Sequence, residues 1–270
     1  MTILNASLDW TFDLLLSPFR QLPPIVGLSV VSLLTAAGML LVFRATSDQR
    51  RLADVKRGIV AALFEIRLFN DDLPALFRAQ AEILKQNAVY LRLSLAPMLW
   101  MMVPIALVVV QLEFHYGYAG LTPGEPVLVK AQLRHAAAAA TLDVPREVRV
   151  STPAVWFPAT NEMMWRVTPE VAGEYVLRAR IDGGTFTKTL DVTDRIVRRS
   201  PVRTAPGLLS QLMYPAERPL PDGAEVTAIS VRYPSRTIRI LGWELPWLVV
   251  YFGFSMAFAL VLRKPLDVTL

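Results

Sequence analysis

Pro24-Ile25-Val26-Gly27-Leu28-Ser29-Val30-Val31-Ser32-Leu33-Leu34-Thr35-Ala36-Ala37-Gly38-Met39-Leu40-Leu41-Val42-Phe43 carries no charged side chain, and neither does the longer run around it, Gln21–Phe43, bracketed by Arg20 and Arg44. A helix crossing the hydrocarbon core of a bilayer needs about 20 mainly apolar residues, so this stretch is long enough to span one. The pattern returns twice: Leu93–Leu112 lies between Arg92 and Glu113, and Leu245–Leu262 lies between Glu244 and Arg263. Soluble domains rarely hold three such runs. The expectation is an integral membrane protein, α plus β, with three transmembrane helices.

Basic residues give the orientation. Arg44, Arg50, Arg51, Lys56 and Arg57 crowd the end of the first run, Arg92 precedes the second, and Arg263 and Lys264 follow the third. Asp9, Asp13, Glu113 and Glu244 mark the other flanks. The positive-inside rule then places the N-terminus outside, residues 44–92 in the cytoplasm, residues 113–244 outside and the C-terminal tail inside. A signal peptide has its positive charge before a shorter apolar core, whereas here acidic residues come first, so the first run reads as a retained span. Ser7–Phe19, with Leu8, Trp10, Phe12, Leu14, Leu15, Leu16 and Phe19 around Asp9 and Asp13, reads as a helix lying at the outer interface.

The 270 residues hold 28 Lys and Arg against 23 Asp and Glu, a formal net charge of +5. In a membrane protein an arginine excess follows from orientation, so no nucleic-acid partner is implied and no DNA contact is expected. There is no cysteine, which excludes disulfides, thiolate nucleophiles and thiolate metal sites. An alanine-, arginine- and proline-rich chain of this kind points to a bacterial plasma membrane by composition.

In the cytoplasmic segment Leu52, Val55, Ile59, Leu63 and Ile66 recur at helical spacing. Asn70-Asp71-Asp72 breaks the pattern, the aspartates suit helix capping, and Pro74 suits a first helical turn. Leu73, Leu76, Phe77, Ile83, Leu84 and Leu91 continue on a second helix that runs into the second apolar stretch. The two apolar stripes are expected to face each other as a basic, coiled-coil-like hairpin standing on the first two spans. Within the second run, Pro97 and Pro104 each remove a backbone hydrogen bond and favour a bend; tolerated kinks packed against neighbours are the plainer reading.

An outer amphipathic helix, a span, a basic cytoplasmic hairpin and a second span reading Pro97, six apolar residues, Pro104-Ile105 together resemble the YidC-type membrane insertase superfamily, in its three-span YidC-like branch. The resemblance covers residues 7–112 and Leu245–Leu262. It implies a hairpin that engages ribosomes or clients and a groove, open to cytoplasm and lipid, through which a client's hydrophilic end crosses. The groove arginine usual in bacterial members has no counterpart in the three runs. The residues left to face a client are Ser29, Ser32, Thr35, Ser94, Pro97, Met101 and Pro104, and those for a cytoplasmic partner are Arg50, Arg51, Lys56 and Arg57. For the hydroxyls, close helix packing beside Gly27, Ala36 and Gly253 is the competing role.

Between the second and third runs, Gly173-Glu174-Tyr175-Val176-Leu177-Arg178-Ala179-Arg180-Ile181 alternates, with Tyr175, Leu177, Ala179 and Ile181 on one face, and is followed by Asp182-Gly183-Gly184, a hairpin signal. Further strands are expected at Val127–Leu133, Val148–Ser151, Met163–Val167, Thr187–Val192 and Glu225–Val231, which suits an immunoglobulin-like β-sandwich with Trp165 and Tyr175 as core-packing residues. Arg195, Arg198, Arg199 and Arg203, before the short apolar turn within Pro206–Pro215, are candidates for contact with outer lipid or a partner, or form a solvated linker.

The expected plan is an outer interfacial helix at 1–22, spans at 23–43, 93–112 and 244–262, a hairpin at 44–92, a sandwich at 113–194, a basic linker with a final strand at 195–243 and a tail at 263–270. His115 and His135 fall in no cluster, no phosphate loop or nucleophile elbow occurs, and no cofactor, metal or catalytic residue is expected. The runs hold no ionisable residue of the kind ion-coupled transporters keep at membrane depth. Function therefore reads as an insertase-like biogenesis factor or chaperone holding client segments, with lipids, clients and ribosomes as partners. The alternative is an accessory subunit scaffolding a larger membrane complex.

Overall fold

The computed structural model describes residues 2–68, 73–137, 139–240 and 242–268. In chain order these form α1 (Thr2–Leu16), α2 (Pro24–Thr46), α3 (Gln49–Leu68), α4 (Leu73–Leu112), β1 (Val127–Leu133), β2 (Ala140–Asp143), β3 (Val148–Phe157), β4 (Glu162–Pro169), β5 (Gly173–Ile181), β6 (Gly184–Val192), β7 (Val202–Thr204), α5 (Leu208–Met213), β8 (Val226–Val231), β9 (Thr237–Ile240), β10 (Trp243–Pro246) and α6 (Trp247–Leu262). The protein is α plus β and divides into two compact units, Met1–Gly27 with Val109–Leu248, and Leu28–Val108 with Val249–Leu270.

In the first unit all the strand pairs are antiparallel. Five strands order as β3-β4-β1-β8-β7 and three as β2-β5-β6, with a β9-β10 hairpin apart. One core takes Val129, Trp165 and Val167 from the larger sheet and Leu177, Phe186 and Leu190 from the smaller, which makes the two sheets a sandwich. The alternating face expected on β5 is the face that is buried. The β5–β6 hairpin closes through Asp182 (φ +45°) and Gly183 (φ +82°), both left-handed as a two-residue type I′ turn requires. The Tyr175 hydroxyl donates to the Val171 carbonyl at 2.9 Å, pinning the start of β5. β2, β7 and the β9–β10 hairpin lie where no strand was expected: each has three or four residues, too few for alternation to show.

In the second unit α4 is one helix of 40 residues that passes through both Pro97 and Pro104. Asp48 caps α3, its carboxylate accepting from the Arg51 N–H at 3.1 Å. Of the stripe expected on α3, Leu52 and Val55 are buried, Leu52 beside Leu40, Phe43 and Val268, but the buried set otherwise differs from the expected stripes. Leu52, Val55 and Ala62 are buried on α3 and Ala79 on α4, whereas Leu63 and Leu84 are 52% and 71% exposed. A Cβ on Gly58 would sit 3.3 Å from the Gln86 side chain, which reaches α3 from α4. The turn at Asn70, Asp71 and Asp72 lies outside the described residues.

Two stretches, Pro24–Thr46 of 23 residues and Pro97–Gly117 of 21, are helical, long and apolar enough to cross a membrane. The third apolar run is helical only from Trp247, because Glu244 and Leu245 pair with Arg239 and Ile238 in the β9–β10 hairpin. Its 16 residues rise about 24 Å, short of the roughly 30 Å of a typical hydrocarbon core.

Candidate functional site

Within the second unit, α2, α4 and α6 line a half-open cavity of about 420 Å³. Its wall is apolar, with Met39, Leu40 and Phe43 from α2, Met98, Met101 and Ile105 from α4, and Phe252 and Ala259 from α6. Five hydroxyl-bearing side chains interrupt that wall, Thr35, Tyr90, Ser94, Tyr251 and Ser255. Tyr251 and Ser255 share a helix face by their four-residue spacing, and the Tyr251 hydroxyl lies beside those of Thr35 and Ser255. Ser94 is buried, and its hydroxyl has no hydrogen-bond partner among the described residues. A buried, unanswered hydroxyl costs about 1–3 kcal/mol unless something occupies the space in front of it.

Of the groove residues expected from sequence, Thr35, Ser94 and Met101 line this cavity. Ser32 does not. It is fully buried and donates to the Tyr251 carbonyl at 3.3 Å, tying α2 to α6. Ala36 is buried and lines the cavity, while Gly253 has open space around it. Pro97 is buried, and Ser29 and Pro104 are half-buried away from the cavity wall. Tyr90, Tyr251 and Ser255 escaped the sequence reading; the last two could have been found as an i, i+4 polar pair inside the third charge-free run. Among the described residues that line the cavity there is no carboxylate, ammonium, guanidinium or imidazole to activate its hydroxyls as nucleophiles. The chemistry it offers is apolar contact with a few hydrogen bonds.

On the hairpin, Arg50, Arg51 and Arg57 are exposed, and Arg57 pairs with Asp54 one turn back. The Lys56 ammonium lies 5.6 Å from the centre of the Tyr90 ring, a cation–π contact across the seam.

The basic segment after the sandwich is largely taken up inside the first unit. Arg198 pairs with Asp9 of α1 at 2.6 Å. Arg199 is fully buried and donates to the carbonyls of Tyr118, Thr193 and Arg195, and burial pushes its guanidinium down to about 10. Arg203 donates to the carbonyls of Thr187, Arg218 and Pro219, bracing β6 against the following loop. Arg195 alone of the four has an exposed side chain. α1 is held on the same unit through His115, whose Nδ1 lies 3.0 Å from the Gln111 carbonyl oxygen and whose Nε2 lies 3.1 Å from Asp13 Oδ1. Phe12 and Leu16 are buried while Trp10 and Leu14 face outward.

The fold and cavity define an α plus β protein with a sandwich unit and a helical unit whose apolar helices line a half-open, hydroxyl-bearing cavity. Comparisons with protein-family models, curated proteins and solved structures found no match to this chain.

Proposed function

We propose that this chain is an integral membrane protein of a bacterial plasma membrane that assists membrane-protein biogenesis as an insertase-like factor, holding client segments in the cavity among α2, α4 and α6. The cavity carries this reading. It is apolar enough to accept a hydrophobic segment and has hydroxyls for a few polar groups. It is also reached along α4 from the hairpin, where a ribosome or nascent chain would arrive. In this reading α2, the apolar half of α4 and α6 are the three spans, and the short α6 is matched by local thinning of the bilayer. The charge flanks put the hairpin and tail in the cytoplasm and the sandwich outside.

Photo-crosslinkers at Ser94 and Met101 are expected to capture short-lived nascent membrane proteins, while one at Ser32, packed against Tyr251, stays silent. Adducts that persist unchanged after translation is stopped and nascent chains are released would overturn the client role. For topology, cysteines at the exposed positions Glu65 and Lys264 are expected to resist an impermeant reagent in intact cells, with Thr185→Cys labelled; the reverse pattern would refute the orientation.

A second reading, a scaffold subunit of a larger membrane complex, is favoured by one feature of the sandwich. β3 leaves Val155 and Phe157 exposed beside Leu128 and Met164, over a hollow of about 250 Å³ suited to a partner's side chain. Stoichiometric co-purification with one fixed complex, lost in Phe157→Glu, supports that reading.

A further inference from the structure

The seam that joins α3 to α4 uses one face of α4; a second face carries its own heptad and is uncovered. Phe77, Leu84, Leu91 and Met98 are spaced by seven residues and exposed. Ala81, Ala88, Leu95 and Met102, each four residues further on, are spaced by seven and exposed too. The first set occupies d positions of a coiled coil and the second set a positions. Together they run over about 37 Å of helix at the usual rise per residue. Leucine at d is the choice of two-stranded parallel coils, and the alanines at a let two backbones come close.

Lipid does not account for the whole stripe. In the orientation proposed above, on which this exclusion rests, Phe77, Ala81, Leu84 and Ala88 stand in water and Leu95, Met98 and Met102 in the membrane. The cover must be a helix that itself continues from the bilayer into the cytoplasm at the same pitch, and α4 of this chain is such a helix.

The flanks of the seam select the same partner. Arg78, Lys85 and Arg92 fill the e positions, and Gln80 and Asn87 the g positions. In a parallel pair each g residue faces an e residue of the other strand, so Gln80 meets Lys85 and Asn87 meets Arg92 of the second copy. Amide oxygens then accept from ammonium and guanidinium groups, and no basic side chain is set against another.

We propose that a second copy of this chain covers the outer face of α4, the two α4 helices packing in parallel about a two-fold axis. Leu91 and Met98 belong both to this seam and to the lining of the cavity. The partner's α4 therefore walls the mouth of the cavity on that side, and two cavities share one boundary.

The chain has no cysteine, so single substitutions give an unambiguous test. In the full-length protein, oxidised in native membranes, Leu84→Cys and Leu91→Cys are expected to give a disulfide-linked species of twice the chain mass. Val89→Cys, exposed on another face of α4, should remain monomeric. Co-purification of two differently tagged copies should fall at least tenfold with Leu84→Glu and Leu91→Glu together, at unchanged accumulation. The inference is overturned if neither d-position cysteine gives the dimer, if Val89→Cys crosslinks as well, or if the species trapped at Leu84 contains a different protein or only lipid. A dimer without nascent-chain adducts at Ser94 would remove the client reading alone, and adducts without a dimer would remove this one alone.

Discussion

Lys188 Nζ lies 2.8 Å from Glu217 Oε2 with both side chains taken out of solvent, so the sandwich keeps an ion pair inside it. The ammonium also donates to the Ser200 carbonyl at 2.6 Å and to its hydroxyl at 3.1 Å. Glu217 accepts from the Thr189 N–H at 2.8 Å and from the Thr189 hydroxyl. Burial pushes the Lys188 ammonium down; burial also works to raise Glu217, but the ammonium and the Thr189 donors outweigh it and hold that carboxyl below the usual range. The pair fastens the loop before β8 to the free edge of β6, an edge that would otherwise invite pairing with another chain.

Glu217→Gln is expected to destabilise the protein by about 3–5 kcal/mol, because it leaves a buried ammonium without its counter-charge. Adding Lys188→Met should recover much of that loss, since the introduced amide can still accept from Thr189 and no charge remains. Denaturant unfolding of the two variants checks this; a double variant no more stable than the single would show that the ion pair is not what Glu217 supplies.

Asp191 is buried on β6, and burial, followed by the nearby Glu174, raises its carboxyl to about 6. A carboxyl whose folded value lies above its unfolded one makes the unfolded state the first to lose the proton as pH rises. Stability should therefore fall between about pH 4 and pH 6 and then level off. Asp191→Asn is expected to flatten that decline and to slow hydrogen exchange of β5–β6 amides at pH 7. An unchanged slope would assign it to other groups.

The docking of α1 should show the opposite pH sense. The hydrogen bond from His115, with added attraction from Arg198 and Arg20, lowers the Asp13 carboxyl despite its partial burial. Its contribution is complete above the unfolded value of about 4 and is lost as pH falls through the lower folded value. Protection of residues 7–16 from exchange should drop on acidification below pH 4, and Asp13→Asn should show reduced protection already at pH 7. Full protection in that variant would mean the apolar contacts of Phe12 and Leu16 suffice.

For the hairpin, Ala79→Leu is expected to cost about 1–3 kcal/mol by forcing a larger side chain into a buried position. Leu63→Asp, at an exposed position, should leave the hairpin folded. Equal helicity and protease resistance in both would place the seam elsewhere.

Much of the fold was legible because its signals are local. Charge-free runs mark apolar helices wherever they pack, alternation marks β5 by its two-residue period, and Asp182-Gly183 marks a turn through the left-handed backbone that turn needs. What remained hidden depended on which neighbours a side chain meets. Leu63 and Ala62 are adjacent apolar positions, and it is the smaller one that the tertiary structure buries. Ser32 and Ser94 are both serines in apolar runs, yet one closes on the Tyr251 carbonyl and the other opens onto a cavity. Arg198 and Arg199 read as surface charge until Asp9 and the Tyr118 carbonyl are brought to them from far along the chain. The third apolar run was detected by composition, but where its helix begins was set by the pairing of Leu245 with Ile238. Hydropathy and turn chemistry are properties of a short stretch of chain, whereas a seam, a cavity wall or a buried ion pair exists only once distant stretches meet.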